Sequence, residues 1–185
     1  MRIIAGKEKG RVIEAPSGMG TRPTLDRVRE NIFNMLQKDI PGSRVLDLFA
    51  GSGALSLESL SRGAEFAVLV DADRKACDVQ KRNIETLGYE RSTRMIRGDW
   101  RTAIHQLQQE KEQFDIVFLD PPYLMLDLTD VFSELHPVVC GETLIVLEHE
   151  AKKHPIVPAL YCATKNRAWG FCGITIYQTD MKESE

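Results

Sequence analysis

From Arg44 onward, short apolar runs alternate with amphipathic segments, and this alternation restricts the chain to a parallel sheet covered by helices. The runs are Val45–Phe49, Phe66–Val70, Thr93–Ile96, Phe114–Leu119 and Thr143–Leu147. Helical periodicity fills the intervals at about Ala54–Ser61, Arg74–Leu87, Arg101–Glu110 and Leu128–Leu135. The end of the chain departs from this rhythm. Tyr161–Thr164 and Phe171–Gln178 read as strands about a turn near Asn166–Gly170, with no room for a crossover helix, so an antiparallel pair is predicted. The expected fold class is α/β, an open seven-stranded, mostly parallel sheet with a C-terminal antiparallel strand pair.

Two short strands, Arg2–Ala5 and Arg11–Glu14, are predicted ahead of the sheet as an N-terminal β-hairpin, because Gly6 and Gly10 allow the chain to reverse between them. After a loop with Pro16, Gly18, Gly20 and Pro23, Thr24 is expected to cap a helix carrying Leu25, Val28, Ile32 and Met35 or Leu36 at helical spacing, closed by Pro41-Gly42. With 43% apolar and 28% charged residues, 185 residues suit one domain: a hairpin extension over 1–20, a helix over 24–40 and a core over 43–180. The first residues lack a signal-like apolar stretch and no later run reaches the roughly 18 residues of a membrane span, so a cytoplasmic protein without a membrane partner is expected. Cys77, Cys140, Cys162 and Cys172 show neither C-x-x-C nor zinc-ligand spacing; buried reduced thiols are expected, with no disulfide and no metal.

The formal net charge of −3 argues against a wholly basic nucleic-acid binder. Its distribution points elsewhere. Between Met1 and Arg29, seven basic residues (Arg2, Lys7, Lys9, Arg11, Arg22, Arg27, Arg29) face three acidic ones (Glu8, Glu14, Asp26), which makes this segment the candidate phosphate-facing surface. A solvated charged face is the competing reading, and Arg27 or Arg29 could instead pair with Asp26 or Glu30 on the same helix.

In an open parallel sheet, ligands bind at the carboxyl ends of the strands. The first such turn is Asp47-Leu48-Phe49-Ala50-Gly51-Ser52-Gly53. Gly51 and Gly53 let the backbone approach a ligand, the N–H groups of the following helix favour a carboxylate, and Asp47 suits an ammonium. Together these fit the amino-acid end of S-adenosylmethionine. A dinucleotide would put a pyrophosphate there, and its third fingerprint position is Ser56 in this chain. Asp71, 24 residues after Asp47 and closing the second strand, can accept both ribose hydroxyls, or merely cap the strand end. Asp99 stands where an adenine amino group could be bound, or caps the helix starting near Arg101.

The fourth strand delivers Asp120-Pro121-Pro122-Tyr123 beside that turn. An exocyclic base amine is a poor nucleophile because its lone pair is delocalised into the ring, so a catalyst must favour the pyramidal, positively charged transition state. The Asp120 carboxylate and the Pro121 carbonyl can each accept one N–H, and the double proline fixes their directions without adding a donor. Tyr123 offers a ring for the base to stack on. A plain strand-ending turn is the alternative.

On these residues the chain resembles the bacterial small-subunit ribosomal RNA (guanine-N2)-methyltransferase D family of class I S-adenosylmethionine methyltransferases. Further carriers are Arg2-Ile3-Ile4-Ala5-Gly6, Lys9-Gly10-Arg11, Arg22 to Glu30 with Phe33-Asn34, Val45 to Ala54, and Ser61-Arg62-Gly63-Ala64. The resemblance implies a Rossmann-like fold and S-adenosylmethionine, converted to S-adenosylhomocysteine, bound by Asp47, Phe49, Gly51, Gly53, Asp71 and Asp99. It also implies a target guanine at Asp120, Pro121, Pro122 and Tyr123. The implied partner is 16S ribosomal RNA of the assembled or assembling small subunit, met by Arg2, Lys7, Lys9, Arg11, Arg22, Thr24, Arg27 and Arg29; a monomer is expected. Asp71 replaces the family's usual glutamate, and Glu148 falls where the family usually carries an acid.

Motif chemistry alone serves guanine N2 and adenine N6 equally, so an adenine-N6 methyltransferase on DNA or another RNA is the nearest rival. Protein glutamine methyltransferases commonly carry asparagine at the position of Asp120. The intact acidic and glycine positions weigh against a catalytically silent RNA-binding domain, and Ser56 weighs against a nicotinamide oxidoreductase.

Overall fold

The computed structural model describes residues 1–15, 23–122 and 125–179. Each of the five apolar runs forms a strand: β1 (Arg44–Asp47), β2 (Phe66–Asp71), β3 (Thr93–Arg97), β4 (Phe114–Leu119) and β5 (Val139–Glu150). With β6 (Tyr161–Trp169) and β7 (Cys172–Thr179) they make a sheet in the order β3-β2-β1-β4-β5-β7-β6. The first five strands run parallel to one another, whereas β7 runs antiparallel to both β5 and β6. The strand order reverses direction between β1 and β4, opening the crevice in which such sheets bind ligands.

Side-chain alternation sorts the strands into two apolar layers. On one face Val45, Leu69, Ile116, Phe118, Val146 and Ile174 pack under α1 (Pro23–Met35), α2 (Ala54–Ser61) and α3 (Arg74–Leu87). On the other, Leu46, Val70, Val117, Leu119 and Leu147 pack under α4 (Trp100–Gln109) and α5 (Thr129–Leu135). Phe33 of α1 is fully buried, its ring 6.0 Å from that of Phe118, so α1 is fastened above the strand that carries Asp120. No helix among the described residues is long and apolar enough to cross a membrane.

Several expectations require correction. The N-terminal hairpin forms, with Arg2 opposite Val12 and backbone bonds from Ile3 to Arg11 and from Ile13 to Met1, but its first arm stops short of Ala5, because the amides of Ile4 and Ala5 turn away to the Glu58 carboxylate at 2.7 and 3.0 Å. At Gly6, φ is 83° and a β-carbon would stand 1.8 Å from the Ser61 carbonyl oxygen, so a glycine is required there. Helix α1 begins at Pro23, which puts Thr24 inside its first turn rather than at the cap; proline's fixed φ suits that opening position. Strand β6 runs on to Trp169 through the segment expected to turn, and the reversal falls at Gly170-Phe171. Its Lys165, Asn166 and Arg167 are exposed, as befits an edge strand without apolar alternation. Cys77 and Cys172 are buried free thiols, whereas Cys140 and Cys162 are exposed.

Candidate functional site

The turn after β1 is held from two neighbouring elements. The Gly51 amide donates to Asp71 Oδ2 at 2.8 Å, while Gln80 Nε2 and Asn83 Nδ2 of α3 donate to the carbonyls of Gly51 and Ser52, each at 3.0 Å. Gly53 has φ 78°, and a β-carbon there would meet the Leu69 side chain at 2.8 Å, so only glycine lets the turn lie this close to β2. Helix α2 starts at Gly53 without any side-chain cap, which leaves its first amides directed at the crevice. Phe49 lies partly buried on the turn, packed toward the α4 face. Sequence reasoning misses Gln80 and Asn83, whose only signal is their place among the buried positions of an amphipathic helix.

Asp47, at the end of β1, is 1% exposed and accepts a hydrogen bond from Ser56 Oγ at 2.9 Å. Burial pushes its carboxyl up to about 7; the Ser56 bond opposes the shift and the charge of Asp71 adds to it. Ser56, which in sequence is only a departure from the dinucleotide pattern, thus holds the acid beneath α2. Asp71 accepts the Asp73 amide with its second oxygen at 2.8 Å, and each carboxylate oxygen retains lone-pair capacity for a ligand hydroxyl. The Asp99 carboxylate accepts the Arg101 amide at 2.9 Å and so caps α4.

Asp120 follows β4, whose partner β1 places Asp47 opposite Phe118. Its side chain is exposed at the carboxyl edge of the sheet. Its carboxyl is pushed well above the ordinary range, first by the protein atoms that displace water around it and then by the charges of Glu148 and Asp47. Pro121 is buried and Pro122 exposed; Tyr123 lies outside the described residues, as does Arg22. Glu148, given no role from sequence, is the charge with the largest influence on Asp120.

The basic N-terminal positions separate into two kinds. Lys7, Lys9 and Arg27 are exposed and make no ion pair with the described residues. Arg2 is exposed and donates to the Gly10 carbonyl at 3.2 Å; Arg11 pairs with Glu8 at 3.0 Å and also donates to the Thr86 carbonyl. Arg29 does not fit the expected RNA-facing role: it is 6% exposed, donates to the Arg2 carbonyl and pairs with Asp26 at 3.1 Å. Its guanidinium is spent on fastening the N-terminal segment. The side chain of Thr24 lies outside the described residues.

A sheet of this order, with a glycine turn after β1, an acid closing β2 and Asp-Pro-Pro closing β4, defines a Rossmann-like fold of the class I methyltransferase type. Within that class, the chain belongs to the family described as Conserved hypothetical protein 95, whose sequence profile matches residues 1–178. It is 38% identical over 185 residues to the protein YlbH of Bacillus subtilis (strain 168), covering 96% of this chain and 98% of that one. It is 37% identical over 185 residues to Ribosomal RNA small subunit methyltransferase D of Escherichia coli (strain K12), covering 98% of this chain and 91% of the relative. The solved structure of yhhF from Escherichia coli superposes with a TM-score of 0.85 at 33% identity, covering 98% of this chain and 99% of that one.

Proposed function

We propose that this protein is a cytoplasmic, S-adenosylmethionine-dependent methyltransferase that modifies the exocyclic N2 amine of a guanine in 16S ribosomal RNA of the small subunit. The observation that carries this reading is Asp120, set at the end of β4 beside the strand that enters the glycine turn, in a chain similar over nearly its full length to a small-subunit ribosomal RNA methyltransferase.

The residues present fit the cofactor. The uncapped start of α2 suits its carboxylate, and Asp47, a buried acid hydrogen-bonded to Ser56, suits its ammonium. Asp71 would hold the ribose hydroxyls, and Phe49, Gly51 and Gly53 would line the turn; Asp99, although a helix cap, keeps lone pairs for the adenine amine. When bound, S-adenosylmethionine supplies an electrophilic methyl group and departs as S-adenosylhomocysteine.

The protein's own part is to position the amine and accommodate its developing charge. Asp120 and the Pro121 carbonyl accept the two N–H bonds, which turns the nitrogen lone pair toward the methyl group. Tyr123 stacks on the base. A carboxyl of raised pKa can also take up the proton released from the methylated amine. Lys7, Lys9, Arg27, Arg2 and Arg11 form the phosphate-facing surface, with Arg22 and Thr24 contributing from the adjoining segment.

The test is incubation with labelled S-adenosylmethionine and small subunits from a strain lacking its own counterpart, followed by nucleoside analysis. N2-methylguanosine is the expected product. N6-methyladenosine alone would replace this reading with the adenine alternative.

A further inference from the structure

Strands β4 and β5 are parallel with Leu119 opposite Leu147, so the next pair sets Asp120 beside Glu148 at the carboxyl edge of the sheet. Phe118 and Val146 line the α1 face whereas Leu119 and Leu147 line the opposite one, and alternation returns Asp120 and Glu148 together to the α1 face. Cys172 of β7 shares that face, and its buried thiol hydrogen-bonds Glu148. A carboxylate has two oxygens with about four acceptor sites, so it can serve a thiol and a ligand donor together. Two carboxylates held side by side repel one another, and after burial the charge of Glu148 is the next cause of the raised pKa of Asp120.

Such a pair of acceptors distinguishes between base edges. On its Watson–Crick edge guanine offers N1–H and the N2 amine as adjacent donors, whereas adenine offers its N6 amine next to N1, an acceptor. A carboxylate beside the one that holds the amine therefore gains a hydrogen bond from guanine and faces a lone pair on adenine, an unpaired and repulsive contact in a desolvated site. We propose that Glu148 is the specificity-determining residue of this site, accepting the N1–H of the guanine whose N2 amine Asp120 holds. The assignment rests on the function proposed above and supplies the choice of base that Asp-Pro-Pro-Tyr leaves open.

The experiment uses small subunits reconstituted with 2-aminopurine at the methylated nucleotide once nucleoside mapping has located it. This analogue keeps the N2 amine but presents N1 as an acceptor. The full-length wild-type protein is expected to methylate the guanine substrate at least about 100-fold faster than the analogue, since a site built to receive a hydrogen bond rejects a base that cannot donate it. In Glu148→Gln the carboxamide can donate to N1 of 2-aminopurine, and the ratio should narrow by about tenfold or more with S-adenosylmethionine affinity within about twofold of wild type. A structural role alone would lower both rates together and leave the ratio unchanged; that result overturns the assignment. If Glu148→Gln does not fold, the wild-type arm decides: equal rates on guanine and 2-aminopurine overturn it as well. Absence of any N2-methylguanosine with wild-type protein removes the proposed function and this assignment with it, whereas an unaltered ratio removes the assignment alone.

Discussion

The carboxylate of Asp71 accepts the Gly51 amide at 2.8 Å, so the acid that ends β2 also shapes the turn that follows β1. Its second oxygen takes the Asp73 amide at 2.8 Å and sets the entry to α3. A ligand laid across the two strand ends therefore meets a carboxylate already fixed in place by backbone donors.

Replacing Asp71 should act on cofactor affinity and replacing Asp120 on transfer. Asp71→Ala removes a hydrogen-bonded charge and frees the Gly51 amide, so S-adenosylmethionine affinity measured by calorimetry should fall by about tenfold or more. Asp71→Asn keeps an oxygen for Gly51 and should lose less. Asp120→Ala should abolish methylation while leaving the affinity within about twofold of wild type. Equal loss of affinity in Asp71→Ala and Asp120→Ala would contradict this division.

Asp47 makes ligand-free stability depend on pH. Its folded-state carboxyl lies at about 7 against an ordinary 3.8, so the folded chain holds this proton more tightly than the unfolded chain. The associated stability is fully present below about pH 4 and is lost as pH rises through about 7. Asp120 is shifted in the same direction, and Asp47→Asn removes only the Asp47 share. Thermal melts should accordingly show a shallower decline for Asp47→Asn than for wild type across that interval. Binding of the cofactor's ammonium favours ionised Asp47, so wild-type affinity should rise as pH passes about 7, with a flatter dependence in Asp47→Asn.

Much of this arrangement is legible in the sequence because buried parallel strands must be apolar on both faces: Val45-Leu46, Ala67 to Val70 and Ile116 to Leu119 are unbroken apolar runs, and all are buried. The glycine turn and Asp-Pro-Pro are legible because their chemistry depends on residue type at a strand end. Strand β6 reads short because Lys165 to Arg167 carry no periodic signal; their strand geometry comes from pairing with β7. Arg29 reads as a surface residue because an arginine buried against a carbonyl looks, in sequence, like any basic residue on a charged helix. Glu148 acquires its meaning from the β4–β5 register, a relationship between residues far apart in the chain.

Glu58 is fully buried, accepts the amides of Ile4 and Ala5, and pairs with Arg62 at 2.7 Å; Arg62 in turn lies over the Phe33 ring at 4.8 Å. One carboxylate thus joins the N-terminal segment, α2 and α1. Glu58→Ala strands two amides and a guanidinium, and should cost about 3–5 kcal/mol of unfolding free energy in denaturant titrations. A loss under about 1 kcal/mol would show that the N-terminal segment is held by other interactions.

The exposed and buried arginines of α1 should separate in RNA binding. Arg27, with Lys7 and Lys9, is free to meet phosphate, and removing the cation from one phosphate lowers the slope of log affinity against log salt by roughly 0.7–0.9. Replacing all three with alanine should therefore weaken binding to ribosomal RNA and flatten its salt dependence by about 2, without altering the melting temperature appreciably. Arg29→Ala should do the reverse: lower the melting temperature by releasing Asp26 and the Arg2 carbonyl, and leave the salt slope close to wild type at temperatures where the variant is folded. A salt slope unchanged in the triple variant would place the phosphate-facing surface elsewhere on the protein.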